Sequence, residues 1–481
     1  MLRVAVVGSG PSGVYTAQSL VEQTLVPDVR VDVLDRLPCP YGLVRYGVAP
    51  DHEKIKSLQN NLRAVLEHER IGFVGNVPVG ADGVAPGRLL ELYHAVVYCV
   101  GAARDRRLGV PGEDLAGSFS ATDFVAWYSA HPDASAFGFA LEGRSAVVVG
   151  VGNVAVDVTR VLARAPEELR HTDVPQSALG ALAASGVREI HMVGRRGPSQ
   201  ARFTTKELRE LGALPSARVG VEAADLALDP AYADPSGLPA VNRRNVEVIR
   251  AWERAGSGAA GGGAGGGGAW GADGGASGAE GGAFAVPRSI RLRFFLRPVE
   301  ILGEGGRVAA VRFERTEPDG AGGVRGTGAY EEIEAGLVLR AVGYRGAPPE
   351  GLPFDPVRGT VPHAAGRVLR DGAASRGEYV AGWIKRGPSG VIGTNRPCAK
   401  ETAGSLLQDA PLLARRAVPD DPVAELRAWG LRPVRWPGWL AIEEAEAALG
   451  RALGRGPVKI PDWPGLLSAA GEGRAGRAGV G

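Results

Sequence analysis

The chain has 481 residues, 44% of them hydrophobic and 22% charged, so it can bury large cores; at roughly 150 residues per domain it holds about three domains' worth of chain. The 55 Lys and Arg against 53 Asp and Glu leave a net charge of +2, which argues against a dedicated nucleic-acid binder. Cys39, Cys99 and Cys398 are the only cysteines and form no CxxC pair. That excludes an all-cysteine iron–sulfur cluster, a four-cysteine zinc site, a redox dithiol and a disulfide framework, and fits a reducing compartment.

Met1-Leu2-Arg3 runs straight into an apolar stretch with no secretory pattern, and no apolar run reaches the roughly 18 residues of a membrane span. A cytoplasmic location without membrane insertion is expected. Taken in chain order, short apolar, β-branched runs predict strands at 3–7, 29–34, 95–100, 145–149, 189–193, 309–314, 337–342 and 379–381. Helical stretches interleave at 13–23, 55–69, 121–130, 154–163, 204–211, 399–408 and 442–453. Strands alternating with helices predict an α/β fold with parallel sheets. The stretch 255–283 holds 15 glycines in 29 residues, too few side chains to offset the entropy of folding, and reads as a flexible surface insertion. Strand-like sequence resumes at 289–296. The last residues, 471–481, are expected to be disordered.

Two of the strand-to-helix turns carry glycine fingerprints. In Gly8-Ser9-Gly10-Pro11-Ser12-Gly13, Gly8 permits a tight turn, Gly10 lets backbone approach a pyrophosphate, and Gly13 lets helix pack closely on strand. The pyrophosphate would meet unpaired N–H groups at the positive end of a helix. The next strand ends in Asp35, placed to accept from ribose hydroxyls. An acid there disfavours a 2′-phosphate, so NAD or FAD is expected. The second turn, Gly150-Val151-Gly152-Asn153-Val154-Ala155, is followed by a strand that ends in Arg195-Arg196. Two guanidiniums suit a 2′-phosphate, so this half should take NADP(H). Gly150 and Arg195 are 45 residues apart, against about 20 in the usual unit, so residues 166–185 must make an excursion. One site for a nicotinamide that comes and goes, beside one for a flavin that stays, points to a flavin oxidoreductase.

Several long segments go beyond the fingerprints: Leu-Pro-Cys-Pro-Tyr-Gly-Leu-Val-Arg-Tyr-Gly-Val-Ala-Pro-Asp-His over 37–52, Val-Pro-Gly-Glu-Asp over 110–114, and the stretches 150–157, 193–198 and 382–395. On these the chain closely resembles the adrenodoxin-reductase-like ferredoxin–NADP reductases, particularly the actinobacterial type, from residue 2 to about 410. The resemblance implies two Rossmann-like dinucleotide-binding domains, with an NADP domain (104–334) inserted into a discontinuous FAD domain (1–103 and 335–481, helical from about 413). It implies FAD contacts at Gly8, Gly10, Pro11, Ser12, Gly13, Asp35, Leu43, Val79, Trp383, Gly390, Val391 and Ile392. NADP contacts are implied at Arg106, Val151, Gly152, Asn153, Val154, Arg195, Arg196 and Glu207, with Gly390 near both cofactors. His52, in the matched Ala-Pro-Asp-His stretch, and Glu210, in the matched segment 203–210, are the candidate catalytic residues, able to tune the flavin or relay protons. Relatives usually carry Glu where this chain has Asp35 and often Ala where it has Gly13.

The resemblance also implies the partner, an acidic iron–sulfur ferredoxin. Arg104, Arg106, Arg107, Arg243 and Arg244 are candidates for the positive face that would steer it. No metal site is expected, the protein should be monomeric, and the three cysteines should be inert thiols. The expected activity is hydride transfer from NADPH to FAD followed by single-electron delivery to ferredoxin, a chemistry that often supplies cytochromes P450. Another NADPH-dependent flavin chemistry, a monooxygenase or diaphorase, and a non-catalytic NADPH-binding module remain open at this stage. The role of the Trp-rich segment after 413 is not assigned.

Overall fold

The computed structural model describes residues 1–102, 104–139, 141–260 and 288–471. Most of the glycine-rich tract and the tail after 471 therefore lie outside the described residues. The helix Ala240–Ala260 runs into the first residues of that tract, further than the composition suggested. Once a helix is nucleated, each added residue costs little.

Two sheets organise the chain. The first has eight strands, in the order His363–Ala364, Arg367–Arg370, Ala373–Val380, Ala95–Tyr98, Leu2–Val7, Val29–Leu34, Ile71–Gly75 and Val434–Arg435. Its five central strands are parallel, and antiparallel strands close both edges. Both faces are covered, which is why the strands read as nearly continuous apolar runs. Val4 and Val6 pack with Val14, Leu20, Ala399 and Leu406 on one face. Ala5 and Val7 pack with Val96, Val380 and Ile384 on the other.

The second sheet has six parallel strands, in the order Ser118–Ser120, Leu337–Arg340, Ser145–Val149, Glu189–Val193, Arg288–Arg293 and Ala217–Val221. Ala146 and Val148 bury against helices. Val147 and Val149 bury against a three-stranded antiparallel sheet, Leu296–Glu304, Arg307–Pro318 and Val324–Glu334, through Leu296, Val311 and Phe313. The excursion required between Gly150 and Arg195 is present as the helices Pro166–Leu169 and Gln176–Ala183.

The chain passes from the first sheet to the second at Arg104–Asp105 and returns at Tyr344–Arg345, and these two segments pair antiparallel. The return therefore falls later than the 335 expected. Leu337–Arg340 sits between Ser118–Ser120 and Ser145–Val149, with Leu337, Val338 and Leu339 buried, so it belongs to the second sheet. Two further expectations shift. The helix foreseen over 55–69 is two, Glu53–Lys56 and Leu58–Leu66, broken at Ser57. The strand foreseen at 309–314 is the middle of the longer Arg307–Pro318. No helix among the described residues is long and apolar enough to cross a membrane.

The segment after 413 packs on both halves through its tryptophans. Trp439 is buried edge-on to Tyr41 at 5.8 Å, under the Arg45 guanidinium at 5.0 Å, and Arg45 pairs with Glu446 at 2.6 Å. Trp463 donates to Asp133 at 2.8 Å, and Arg36 pairs with the same carboxylate at 2.7 Å.

Candidate functional site

The strand Leu2–Val7 delivers the chain to Gly8, where φ is +110° and a Cβ would lie 2.5 Å from the Cys99 carbonyl oxygen. Only glycine can make this turn. It opens directly into the helix Pro11–Val21, whose proline occupies the first turn, where its missing N–H costs nothing. A Cβ on Gly13 would fall 1.8 Å from the Gly8 carbonyl oxygen, so an alanine here would require the loop to open. At Gly382 (φ +76°) a Cβ would lie 2.3 Å from Ser12 Oγ. The loop is thus boxed in by backbone on two sides, leaving the N–H groups of Gly10 and Ser12 as the open face.

That face borders a cavity of about 610 Å³. Its walls include Gly8, Gly10, Pro11, Ser12, Asp35, Leu43, Val79, Trp383, Val391 and Ile392, ten of the twelve residues expected at FAD. Gly13, packed on the Gly8 carbonyl, and Gly390 do not border it. Gly390 instead makes the turn (φ +81°) that carries Val391 to the cavity. Asp35 accepts from Ser9 N (2.8 Å), Ser9 Oγ (2.5 Å) and Leu37 N (2.9 Å). A carboxylate has about four acceptor positions, so one remains for a ribose hydroxyl. Burial pushes the carboxyl up, against the hydrogen bonds from Ser9 and Leu37. Ser12 Oγ is buried with no hydrogen-bond partner among the described residues. Trp383 donates its indole N–H to the Ser389 carbonyl at 3.2 Å and tilts against Tyr344 at 5.4 Å between centroids. A mostly apolar cavity bordered by a helix N-terminus and a buried acid fits FAD.

Sequence reasoning missed several wall residues: Tyr46, His131, Tyr344 and Asn395. Tyr46 lies inside a matched segment, but His131 and Tyr344 come from the second half and its return crossing and carry no local signal. His131 stacks edge-on with Tyr46 at 5.0 Å, and burial holds it down at about 4.

At the second turn Gly150 has φ +141°, and a Cβ would lie 2.3 Å from the Ala341 carbonyl oxygen. The helix Asn153–Ala163 starts there. Asn153 Oδ1 accepts from Thr204 N at 2.8 Å, so that side chain braces the loop. Arg195 is exposed and Arg196 half-buried. Neither has a carboxylate within ion-pair distance among the described residues. The Arg196 guanidinium is held below its ordinary value by burial, then by the positive charges of Arg202 and Arg195. A pair of unneutralised guanidiniums at the end of the second strand fits the 2′-phosphate of NADP(H). Arg106 lies at the crossing, with Nε 3.4 Å from the Tyr344 carbonyl.

His52, Glu207 and Glu210 do not border the cavity. They meet in the seam between the two halves, with His52 Nε2 2.9 Å from Glu210 and 3.2 Å from Glu207. Glu207, expected at NADP, is buried here. Arg160 reaches it at 3.4 Å, and burial raises its carboxyl. Arg160 is fully buried and also holds Asp51 at 2.7 Å and Asp157 at 2.8 Å. Of the five arginines considered for a docking face, Arg107 is neutralised by Asp114 at 2.6 Å and Glu113 at 3.4 Å.

Residues 2–210 match the family model described as pyridine nucleotide-disulphide oxidoreductase. The chain is 40% identical to the NADPH-ferredoxin reductase FprA of Mycobacterium tuberculosis, over 96% of this chain and 98% of the relative. It is 37% identical to the mitochondrial NADPH:adrenodoxin oxidoreductase of Arabidopsis thaliana, over 98% and 95%. It belongs to this reductase family. The solved structure of Mycobacterium tuberculosis FprA in complex with NADPH superposes with a TM-score of 0.85 at 41% identity, covering 98% of this chain and 99% of that one. The reductase is an FAD- and NADP(H)-dependent oxidoreductase with the two-Rossmann architecture that its sequence predicts.

Proposed function

We propose that this chain takes electrons pairwise from NADPH onto FAD and releases them singly to a ferredoxin. The observation that carries the reading is a shared wall. Val154, in the first turn of the helix after the second fingerprint, and Tyr344, on the return crossing, border the same cavity as the first glycine loop, Asp35 and Trp383. A nucleotide seated on the Gly150–Asn153 loop therefore reaches the space that the first half builds for FAD. Bound FAD supplies the conversion from two-electron to one-electron transfer.

The chain's own residues bind and orient. The N–H groups of Gly10 and Ser12 hold the pyrophosphate, Asp35 takes a ribose hydroxyl, and Leu43, Val79, Val391 and Ile392 exclude water along the wall. Trp383, fixed by its bond to Ser389, closes the cavity toward the second half. Arg195 and Arg196 take the 2′-phosphate. His52 and Glu210 are hydrogen-bonded across the seam and position the two halves. Residues 1–103 and those after about 341 form the FAD half, and the segment between them forms the NADP half. The partner is an acidic iron–sulfur protein. Arg104, Arg106, Arg243 and Arg244 are exposed, with no carboxylate partner among the described residues, and offer it a basic face. A monomer in the cytoplasm is the working state, consistent with three free thiols.

The test is NADPH-driven cytochrome c reduction by the purified protein, with and without ferredoxin. Strong stimulation by ferredoxin supports one-electron delivery to a protein partner. NADPH oxidation that ferredoxin leaves unchanged would refute it.

A further inference from the structure

Resting on the NADP(H) reading of the second fingerprint, we propose that Arg202 is a third guanidinium of the 2′-phosphate site and sets the preference for NADPH over NADH. Three observations converge on this residue.

Its main chain is fixed to the fingerprint itself. Arg202 N–H donates to the carbonyl of Val151, between Gly150 and Gly152, at 2.9 Å. Two residues on, Thr204 N–H donates to Asn153 Oδ1 at 2.8 Å. The helix Ala240–Ala260 holds the other side of the segment. Asn242 Nδ2 donates to the carbonyls of Ser199 (2.8 Å) and Ala201 (3.3 Å), and Asn245 Nδ2 donates to that of Phe203 at 3.0 Å. The residues flanking Arg202 are thus tied down from both directions, while Arg202 itself is exposed. A guanidinium carried on so rigid a base loses little freedom on meeting an anion.

The segment also shares its anchor with the Arg195–Arg196 turn. A Cβ on Gly194 would lie 2.9 Å from Val151 Cγ1, so the end of the strand Glu189–Val193 packs on the side chain of the residue whose carbonyl holds Arg202. The Arg195–Arg196 turn and the Arg202 segment thus both rest on Val151. Consistent with this, Arg202 repels the Arg196 charge more strongly than Arg195, the chain neighbour of Arg196, does.

Finally, no carboxylate among the described residues neutralises Arg195, Arg196 or Arg202. Three like charges gathered at a dinucleotide loop without a counter-ion repel one another. A phosphate monoester, close to a dianion at neutral pH and with three terminal oxygens, relieves that repulsion and has acceptors for all three. A nucleotide with a free 2′-hydroxyl does neither.

The substitution Arg202→Ala keeps the backbone bond to Val151, so the loop should stay in place; retained flavin absorbance and melting temperature check this. The ratio of kcat/KM for NADPH to that for NADH should fall about tenfold, the equivalent of about 1.4 kcal/mol. The inhibition constant of 2′-phospho-AMP should rise by a similar factor, while that of AMP does not. Arg195→Ala and Arg196→Ala serve as references. If both lower the ratio and Arg202→Ala does not, the role of Arg202 is overturned and the site itself stands. If none of the three changes it, the assignment of this loop to the 2′-phosphate fails as well.

Discussion

Replacing Arg160 with methionine should destabilise the protein by about 3 kcal/mol, the low end of the range for breaking a buried ion pair. The side chain is fully buried and holds Asp51 with two bonds, at 2.7 and 3.1 Å, as well as Asp157 at 2.8 Å and Glu207 at 3.4 Å. Asp51 gives a measure of its strength. Against the upward push of burial, Arg160 and then Arg164 hold that carboxyl at about 2, from an ordinary 3.8. Such a depression contributes about 2 kcal/mol of stability, present above the ordinary value and lost as pH falls toward 2. In Arg160→Met, Asp51 keeps Arg164 at 2.9 Å and Glu207 keeps His52 at 3.2 Å, but burial already raises Asp157 and Glu207, and both lose the Arg160 guanidinium. At about 1 °C per kcal/mol for a chain of 481 residues, the melting temperature should drop by about 3 °C at pH 7.5, followed by release of flavin fluorescence. Protonation relieves unpaired buried acids, so the deficit should shrink at pH 5. A drop under 2 °C, or a deficit that widens on acidification, would refute the role given to this guanidinium.

Three other outcomes are expected. Gly8→Ala should yield colourless protein, since its Cβ would meet the Cys99 carbonyl at 2.5 Å at a φ of +110°; normal flavin absorbance would contradict the tight-turn argument. Asp173 lies between Lys56 at 2.5 Å and Lys459 at 2.9 Å, and burial holds Lys459 at about 7 against the charge of Asp173. In Asp173→Asn, Lys459 falls further and must shed its proton to stay buried, so the loss of stability should be greater at pH 6 than at pH 9, and Lys459→Met should largely restore it. The thiols of Cys39 and Cys99 are pushed up by burial to about 11 and about 12, and Cys398 is buried with its sulfur accepting from Gly382 N–H. Thiol reagents at pH 8 should modify no cysteine in the native holoprotein and three in urea.

What could be read from sequence was what is local. Gly8, Gly10 and Asp35, or Gly150 and Arg195, announce themselves because strand, turn and helix follow one another along the chain. The strand Ile71–Gly75 escaped because its glycines mask the apolar run, and Val324–Glu334 because one face of an exposed antiparallel strand is polar. The seam was illegible for a different reason. Asp51, Arg160 and Glu207 are drawn from three distant segments, and nothing in any one of them says that the others will be neighbours. Val154 was expected at NADP, yet its place on the FAD cavity wall depends on how the halves are set, as does that of Tyr344. Arg202 was overlooked because it follows the fingerprint strand by nine residues and is tied to the loop only through space.

The order of strands in the two sheets carries a consequence for synthesis. The strand Ala95–Tyr98 has Leu2–Val7 on one side and Ala373–Val380 on the other, so the hydrogen-bonding edge of the first sheet stays open until nearly three hundred further residues have been made. The second sheet receives its last strand, Leu337–Arg340, before that edge is covered. The half translated later can therefore close first, and the half translated earlier must wait on the ribosome with an unpaired strand exposed. Stalling or truncation between 341 and 372 should leave a soluble second half attached to an aggregation-prone first one, a vulnerability of the nascent chain that the finished enzyme does not have.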